Sequence, residues 1–409
     1  MSDAASEPGP YRVMVVDDSA VIRGFLTRFL EEDPKVKVVA SAANGEMAVR
    51  NIKRSGAEVV LLDIEMPQMD GMTALPKLLA EVPDLRIVMA STLTKHNAEI
   101  TLRALRAGAV DYVPKPESNR EVNANVDFRR EIVEKVRAYA SARRKDRGEP
   151  LPDEGRTPSS FRGRGPASFV RSVGRGPSPA AARPAARSGA MPAGVRSEVV
   201  DRSKPVELRG ASRQRPTILA IGASTGGPQA LIKLFDDFKI ARTVPVLIVQ
   251  HMPATFTSIL ADHLGRASGM PTREATQSGP NRVVAGEILV APGNYHMVVR
   301  QDGTSVVAEC NQAPPENFCR PAVDPMFRSV ARVYGDRALG LVLTGMGHDG
   351  LRGARELVNA GGTLFAQDEA SSVVWGMPGA VATAGLCHKV LPLAEMQTAL
   401  SRFIERAPA

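Results

Sequence analysis

An α/β protein with two parallel-sheet domains is predicted by three features of this 409-residue sequence. Short β-rich runs alternate with amphipathic helical stretches on both sides of a central segment, a rhythm that builds βαβ units with helices on both faces of a sheet. The central segment, 141–215, is dominated by Pro, Gly, Ser, Ala and Arg. Acidic, hydroxyl-bearing or glycine-rich turns follow the strands, on the edge where open parallel sheets bind ligands.

From 11 to 140, VMVVDD, KVVASA, EVVLLD, RIVMAS and VDYVPK read as five strands, with helices such as Ala20–Glu31 and 45–53 between them. Pro76 falls inside the helix expected over 70–80, where it removes a hydrogen bond and should kink it. Over 141–215, Phe161 and Phe169 are the only aromatics. Such a stretch buries too little apolar surface to offset its ordering entropy, so it reads as a disordered tether, with contact to an acidic partner or polyanion as the other reading. From 216 to 409 the rhythm returns in PTILAIGAS, PVLIVQH, GEILVAPG, ALGLVLTG and GGTLFAQD. This second unit is expected to be doubly wound, mainly parallel and independent of the first. No period of 20–50 residues repeats, which argues against a solenoid.

Charge follows the same division. The net charge of +8 splits into −2 over 1–140, +10 over 141–215 and zero over 216–409. The excess sits on the tether. The second domain is neutral and carries no helix-turn-helix signal, so a nucleic-acid partner is not expected. No run of about 18 apolar residues suggests membrane insertion. The start, MSDAASEPGP, lacks the basic and apolar regions of a secretory signal. Cys310, Cys319 and Cys387 form no C-x-x-C pair, which fits a reducing cytoplasm.

In the first domain, strand 1 ends in Asp17-Asp18, strand 3 in Asp63, strand 4 in Ser91-Thr92 and strand 5 at Lys115, between Pro114 and Pro116. Three converging carboxylates repel one another unless a divalent cation sits among them, and hard oxygen ligands suit Mg²⁺. A cation, a hydroxyl and an ammonium around one carboxylate suit an incoming phosphoryl group, with Asp63 as nucleophile. This set resembles the flavodoxin-like receiver domain of bacterial response regulators along its whole length. The resemblance implies Asp63 as phosphoacceptor and Asp17 and Asp18 as the acidic pair. It also implies the backbone carbonyl of Glu65 as a further Mg²⁺ ligand, Ser91 and Tyr112 as switch residues and Lys115 as the phosphate sensor. A Lys115–Pro116 bond of this kind is often cis.

In the second domain, Gly222-Ala223-Ser224-Thr225-Gly226-Gly227-Pro228 follows a strand and precedes a helical run. A phosphate-binding loop and a nucleophile elbow of the form G-x-S-x-G both fit this context. No Lys follows the loop, which disfavours the first. An elbow needs a base. Among His96, His251, His263, His296, His348 and His388, only His251 directly follows a buried strand, and His348 stays open as a second base. His296 fits an orienting or structural role. The base needs an orienting carboxylate; Asp349 follows strand 338–343, with Asp324 and Asp368 as rivals.

GASTGGP, QHMPATFT, APGNYHM, RPAVD, LTGMGHDG and AQDEASSVVWGMP, in this order, resemble the catalytic domain of the chemotaxis protein-glutamate methylesterase family. A receiver followed by this domain is that family's arrangement. The resemblance implies Ser224 as nucleophile, His251 as general base, Asp349 as orienting acid, the Met346 backbone N–H as oxyanion donor and Thr225 as a further active-site contact. It implies no cofactor in the catalytic domain. The implied activity is phosphorylation-activated hydrolysis of glutamate γ-methyl esters, with deamidation of specific glutamines. The implied partners are methylated chemoreceptors and a chemotaxis histidine kinase, in the cytoplasm at receptor arrays. The tether is longer than is usual for the family, so weaker autoinhibition by the receiver is expected. Two other readings remain: a receptor-docking adaptor without turnover, and the same esterase in a non-motility pathway.

Overall fold

The computed structural model describes residues 8–92, 94–115, 126–152, 206–236 and 243–405. In the N-terminal domain β1 (Tyr11–Val16), β2 (Val36–Ala42), β3 (Val59–Asp63), β4 (Arg86–Ser91) and β5 (Asp111–Pro114) form one parallel sheet in the order β2-β1-β3-β4-β5. Alternate strand residues face opposite layers. Val13, Val15 and Leu61 pack under α1 (Ala20–Glu31) and α5 (Val126–Arg147). Met14, Val60 and Leu62 pack under α2 (Gly45–Ser55), α3 (Gly71–Glu81) and α4 (Lys95–Arg106). Ser19, Asn44, Asp70 and Thr94 cap the first four helices by accepting a backbone N–H, each contributing about 1 kcal/mol. Pro76 lies within α3, and the helix continues through it to Glu81.

The tether begins later and ends earlier than composition suggests. Helix α5 runs past residue 140 to Arg147, and Leu151 is buried. The cause is Arg144. Its guanidinium forms a two-pronged pair with the fully buried Glu58 (2.6 and 2.9 Å) and donates to the carbonyls of Gly9 and Pro10. Composition counts arginine as solvated; here the side chain crosses the domain to neutralise a buried carboxylate. At the other end, Arg209 N–H donates to the Cys387 carbonyl and Arg215 to the Ile404 carbonyl, so 206–215 docks on the C-terminal domain. Residues 153–205, where most of the expected tether falls, lie outside the described residues.

The C-terminal domain has a seven-stranded parallel sheet in the order β15-β14-β13-β6-β7-β10-β8. Its strands are β6 (Ile218–Ala223), β7 (Val246–Gln250), β8 (Thr272–Glu274), β10 (Ile288–Val290), β13 (Ala338–Val342), β14 (Thr363–Gln367) and β15 (Lys389–Leu391). Helices α6 (Gly227–Phe235), α7 (Ala254–Ser268) and α11 (Leu393–Glu405) cover one face. Helices α8 (Val323–Tyr334), α9 (Leu351–Asn359) and α10 (Met377–Thr383) cover the other. β9 (Asn281–Arg282) joins the hairpin of β11 (His296–Asp302) and β12 (Ser305–Asn311) in a separate antiparallel sheet. Strands β8 and β15 are half-buried three-residue pieces that carry no clear period.

The two domains are not independent. The Tyr112 ring stacks on Phe256 with centroids 4.5 Å apart, and one apolar cluster runs from α4 into α6 and α7. Arg106 donates to the His263 carbonyl (3.3 Å), and the Gln229 amide donates to the carbonyls of Leu105 (3.2 Å) and Ala109. Periodicity cannot reveal this contact, because a helix face that meets a second domain looks like one that meets its own sheet.

Replacing Arg144 by Ala removes the two-pronged partner of the buried Glu58 carboxylate and leaves it only the Arg12 N–H (2.7 Å) and the Arg12 guanidinium at 4.0 Å. A loss of about 3–5 kcal/mol is expected, read as a lower urea midpoint with an unchanged slope.

Candidate active site and phosphoacceptor pocket

At the carboxyl edge of the N-terminal sheet, Asp17, Asp18 and Asp63 bring ligand oxygens within 4.8 Å of one another. Asp17 and Asp63 are buried, and the Lys115 ammonium stands 2.5 Å from Asp17 and 2.7 Å from Asp63. Burial pushes the Asp63 pKa up to about 6, against the pull of Lys115. A cluster of hard anionic oxygens with one ammonium among them fits a small divalent cation. Ser91 is buried next door, and the Lys115 N–H donates to its carbonyl. Tyr112 is buried under the Lys135 ammonium, which lies 5.0 Å from the ring and donates to the Tyr112 carbonyl. Glu65 lies in the loop after β3, exposed. The Lys115–Pro116 bond lies outside the described residues.

In the C-terminal domain the strand–turn–helix around Ser224 is built by glycine. Gly226 has a left-handed φ of +74° at the start of α6, and a Cβ there would meet Val373 at 2.7 Å. Gly345 lets the neighbouring turn approach; a Cβ on it would lie 2.8 Å from that of Ser224. The Ser224 N–H donates to the Thr344 carbonyl, and the Gln250 amide donates to the Ser224 carbonyl. β6 and β7 are parallel neighbours, so Ser224 and His251 emerge side by side.

His251 Nε2 pairs with Asp349 Oδ2 at 2.7 Å. The Asp349 carboxylate also accepts from the N–H groups of Val323, Asp324 and Gly350 and from the Asn317 amide. It is buried, yet these donors and the imidazole hold its pKa below the ordinary value. Burial by itself lowers the His251 pKa. Cys319 and Asp349 more than offset this and hold the imidazole well above its usual value. The other ring nitrogen, Nδ1, faces Cys319 Sγ at 3.4 Å. The Ser224 hydroxyl and the Met346 N–H make no hydrogen bond among the described residues. Ser224, Thr225, His251, Cys319 and Met346 line one cleft of about 420 Å³, whose opposite wall is Arg130, Glu131, Glu134 and Lys135 of α5.

The rival residues go elsewhere. Asp324 is buried at the start of α8, where its Oδ1 accepts from Gly353 N–H and its Oδ2 from Asn317. Burial and the charge of Asp349 push its pKa up to about 6. Asp368 accepts from Ser371. His296 accepts from Ala322 N–H and stands 3.1 Å from the Pro314 carbonyl. His263 is buried in α7. His348 sits half-buried in the turn before α9. Asn317 and Cys319, which touch Asp349 and His251, carry no signal in the sequence, since neither follows a strand. The α5 residues over the cleft are equally silent, because they belong to the other domain.

The CheB methylesterase model matches residues 219–400, and the response regulator receiver domain model matches 13–127. The protein-glutamate methylesterase/protein-glutamine glutaminase 1 of Rhodospirillum rubrum is 51% identical, over 95% of this chain and 94% of that protein. The protein-glutamate methylesterase/protein-glutamine glutaminase of Azospirillum brasilense is 50% identical, over 97% of this chain and 94% of that protein. The crystal structure of the Thermotoga maritima CheB methylesterase catalytic domain, 33% identical, covers 46% of this chain and 99% of its own, with a TM-score of 0.44. Family match and near full-length identity agree with the two-domain fold, and the chain belongs to the CheB methylesterase family, protein-glutamate methylesterases/protein-glutamine glutaminases that carry a response-regulator receiver.

Proposed function

We propose that Ser224 is the nucleophile, His251 the general base and Asp349 its orienting acid in hydrolysis of γ-glutamyl methyl esters on chemoreceptors. The observation that carries this reading is the 2.7 Å His251–Asp349 bond in the cleft that Ser224 lines. With Nε2 committed to Asp349, Nδ1 is the nitrogen that takes the Ser224 proton as Oγ attacks the ester carbonyl. The Met346 N–H and the N–H of Thr225, the residue after the nucleophile, hold the oxyanion; one such donor lowers the barrier by about 3–4 kcal/mol. The imidazolium then gives its proton to the leaving methoxide, and methanol departs. Water, activated by the same nitrogen, hydrolyses the acyl-enzyme. With a glutamine substrate the leaving group is ammonia.

The receiver controls access. Asp63 accepts a phosphoryl group from a chemotaxis histidine kinase, with Asp17, Asp18, Asp63 and the Glu65 carbonyl as the Mg²⁺ ligands. Bound there, Mg²⁺ supplies charge that neutralises the phosphoryl oxygens. Lys115 and Ser91 hold those oxygens, and Tyr112 follows Ser91 inward, giving up its stack on Phe256. Helix α5, which lines the cleft in the resting chain, then moves off it. The enzyme works in the cytoplasm at receptor arrays, and no helix among the described residues is long and apolar enough to cross a membrane.

Methanol release from a methylated receptor fragment tests both halves. Ser224→Ala should lower kcat by about 10³-fold or more. In the intact chain, Mg²⁺ with a small phosphodonor should raise release, and Asp63→Asn should abolish that rise. Gln229→Ala should raise the unstimulated rate, because it removes an interdomain bond. Release that is fast and indifferent to the phosphodonor rejects the switch.

Asp63 also gives a pH signature. Its folded pKa of about 6 lies above its unfolded value, so the proton stabilises the fold and stability falls as pH rises through 6. In Mg²⁺-free buffer, Asp63→Asn should be more stable than the parent at pH 8 by about 1–2 kcal/mol, with the difference closing towards pH 4. Urea denaturation across that range reads it.

A further inference from the structure

The base nitrogen that the reaction needs is already occupied. Cys319 Sγ stands 3.4 Å from His251 Nδ1, and the Ser224 hydroxyl bonds to nothing among the described residues. Cys319 reaches this place through a tight turn. Glu316 N–H donates to the Cys319 carbonyl (3.1 Å) and Cys319 N–H to the Glu316 carbonyl (2.9 Å). The two residues between them, Asn317 and Phe318, have positive φ (51° and 64°), the backbone of the tightest hairpin turns. Neither is glycine, so the conformation is held by its surroundings. Arg328 grips Glu316 (2.8 Å). The Asn317 amide bridges Asp349 Oδ1 (2.8 Å) and Asp324 Oδ2 (3.0 Å). Two residues of one turn, Asn317 and Cys319, therefore touch Asp349 and His251.

Resting on the Ser224, His251 and Asp349 reading above, we propose that this turn is a positioning element of the esterase: Asn317 fixes the Asp349 carboxylate, and the Cys319 sulfur holds the Nδ1 edge of His251 until the Ser224 hydroxyl displaces it. A thiol suits that task. It is a weak hydrogen-bond partner, so it orients the ring at little cost to the exchange. Cys319 and Asp349 together favour the protonated imidazole. The titratable and charged groups that line the cleft with His251 are Asp349 and Cys319 beside it, Arg320 next to Cys319, and Asp111, Arg130, Glu131, Glu134 and Lys135 across it. Among these only Cys319 touches Nδ1.

The test is steady-state methanol release from a methylated receptor fragment by the full chain, with Mg²⁺ and a small phosphodonor, across pH. Cys319→Ala should lower kcat on the order of tenfold with KM unchanged. It should also move the acid limb of kcat/KM to lower pH. Cys319→Ser, which keeps a hydrogen-bonding group beside Nδ1, should recover most of kcat and bring the limb back towards the parent's. Asn317→Ala should lower kcat with KM unchanged. Parental kcat and an unmoved limb in both Cys319 variants would overturn the proposal. A kcat loss with an unmoved limb and no rescue by Ser would also overturn it, since that is the mark of packing alone. Thermal melts run alongside; if Cys319→Ala does not fold, kcat and the limb of Cys319→Val, which has no hydrogen-bonding group, decide. A Ser224→Ala chain that still turns over at the parental rate would instead sink the nucleophile assignment on which the proposal rests.

Discussion

A carboxylate with 2% of its surface exposed stays ionised only when protein donors replace its lost water. Asp349 meets that requirement with an imidazole, an amide and three backbone N–H groups, two of them from the start of α8. Much of the C-terminal domain is arranged around this need. Helix α8 must begin beside the turn after β13, so its N–H groups point at the carboxylate. The 316–319 turn must bend through positive φ to bring Asn317 in. Asp324, pressed against the same charge, has its pKa pushed up to about 6 and is tied by Gly353 and Asn317. Once Asp349 is fixed, His251 Nε2 is fixed, and Nδ1 is turned to Cys319.

The second constraint is the wall across that cleft. Helix α5 carries charged residues where an esterase domain alone would meet substrate and water. Lys135 is almost fully buried there and pairs with Asp111 and Glu131, so the charges facing the cleft are partly balanced before any substrate arrives. The apolar contact that joins the two domains is one aromatic stack and the facing sides of α4, α6 and α7.

The acidic pocket and the cleft obey opposite rules. In the pocket, burial and like charge raise the Asp63 pKa, and Lys115 offsets only part of the repulsion. Binding a cation or a phosphoryl group relieves a cost the fold already bears. In the cleft, the Asp349 carboxylate is fully provided with donors and His251 is held against it.

Local pattern determined the two parallel sheets, since period and strand-end chemistry are written in short windows. VMVVDD ends in Asp17-Asp18 and VLIVQ leads into His251, and parallel pairing carries such ends to one edge whatever the rest of the chain does. For the same reason Ser224, His251 and Asp349 come to one edge of the second sheet. The tertiary structure alone decided that the first domain runs to Arg147 and beyond, because Arg144 belongs to the fold through Glu58, 86 residues away, and through the Gly9 and Pro10 carbonyls. It alone decided that Asn317 and Cys319 reach the acid and the base, since an irregular turn has no period to reveal its direction. It alone joined Tyr112 to Phe256 and set α5 across the cleft. Interactions that depend on long-range juxtaposition leave no trace in a local window, and here they hold the elements that control the chemistry.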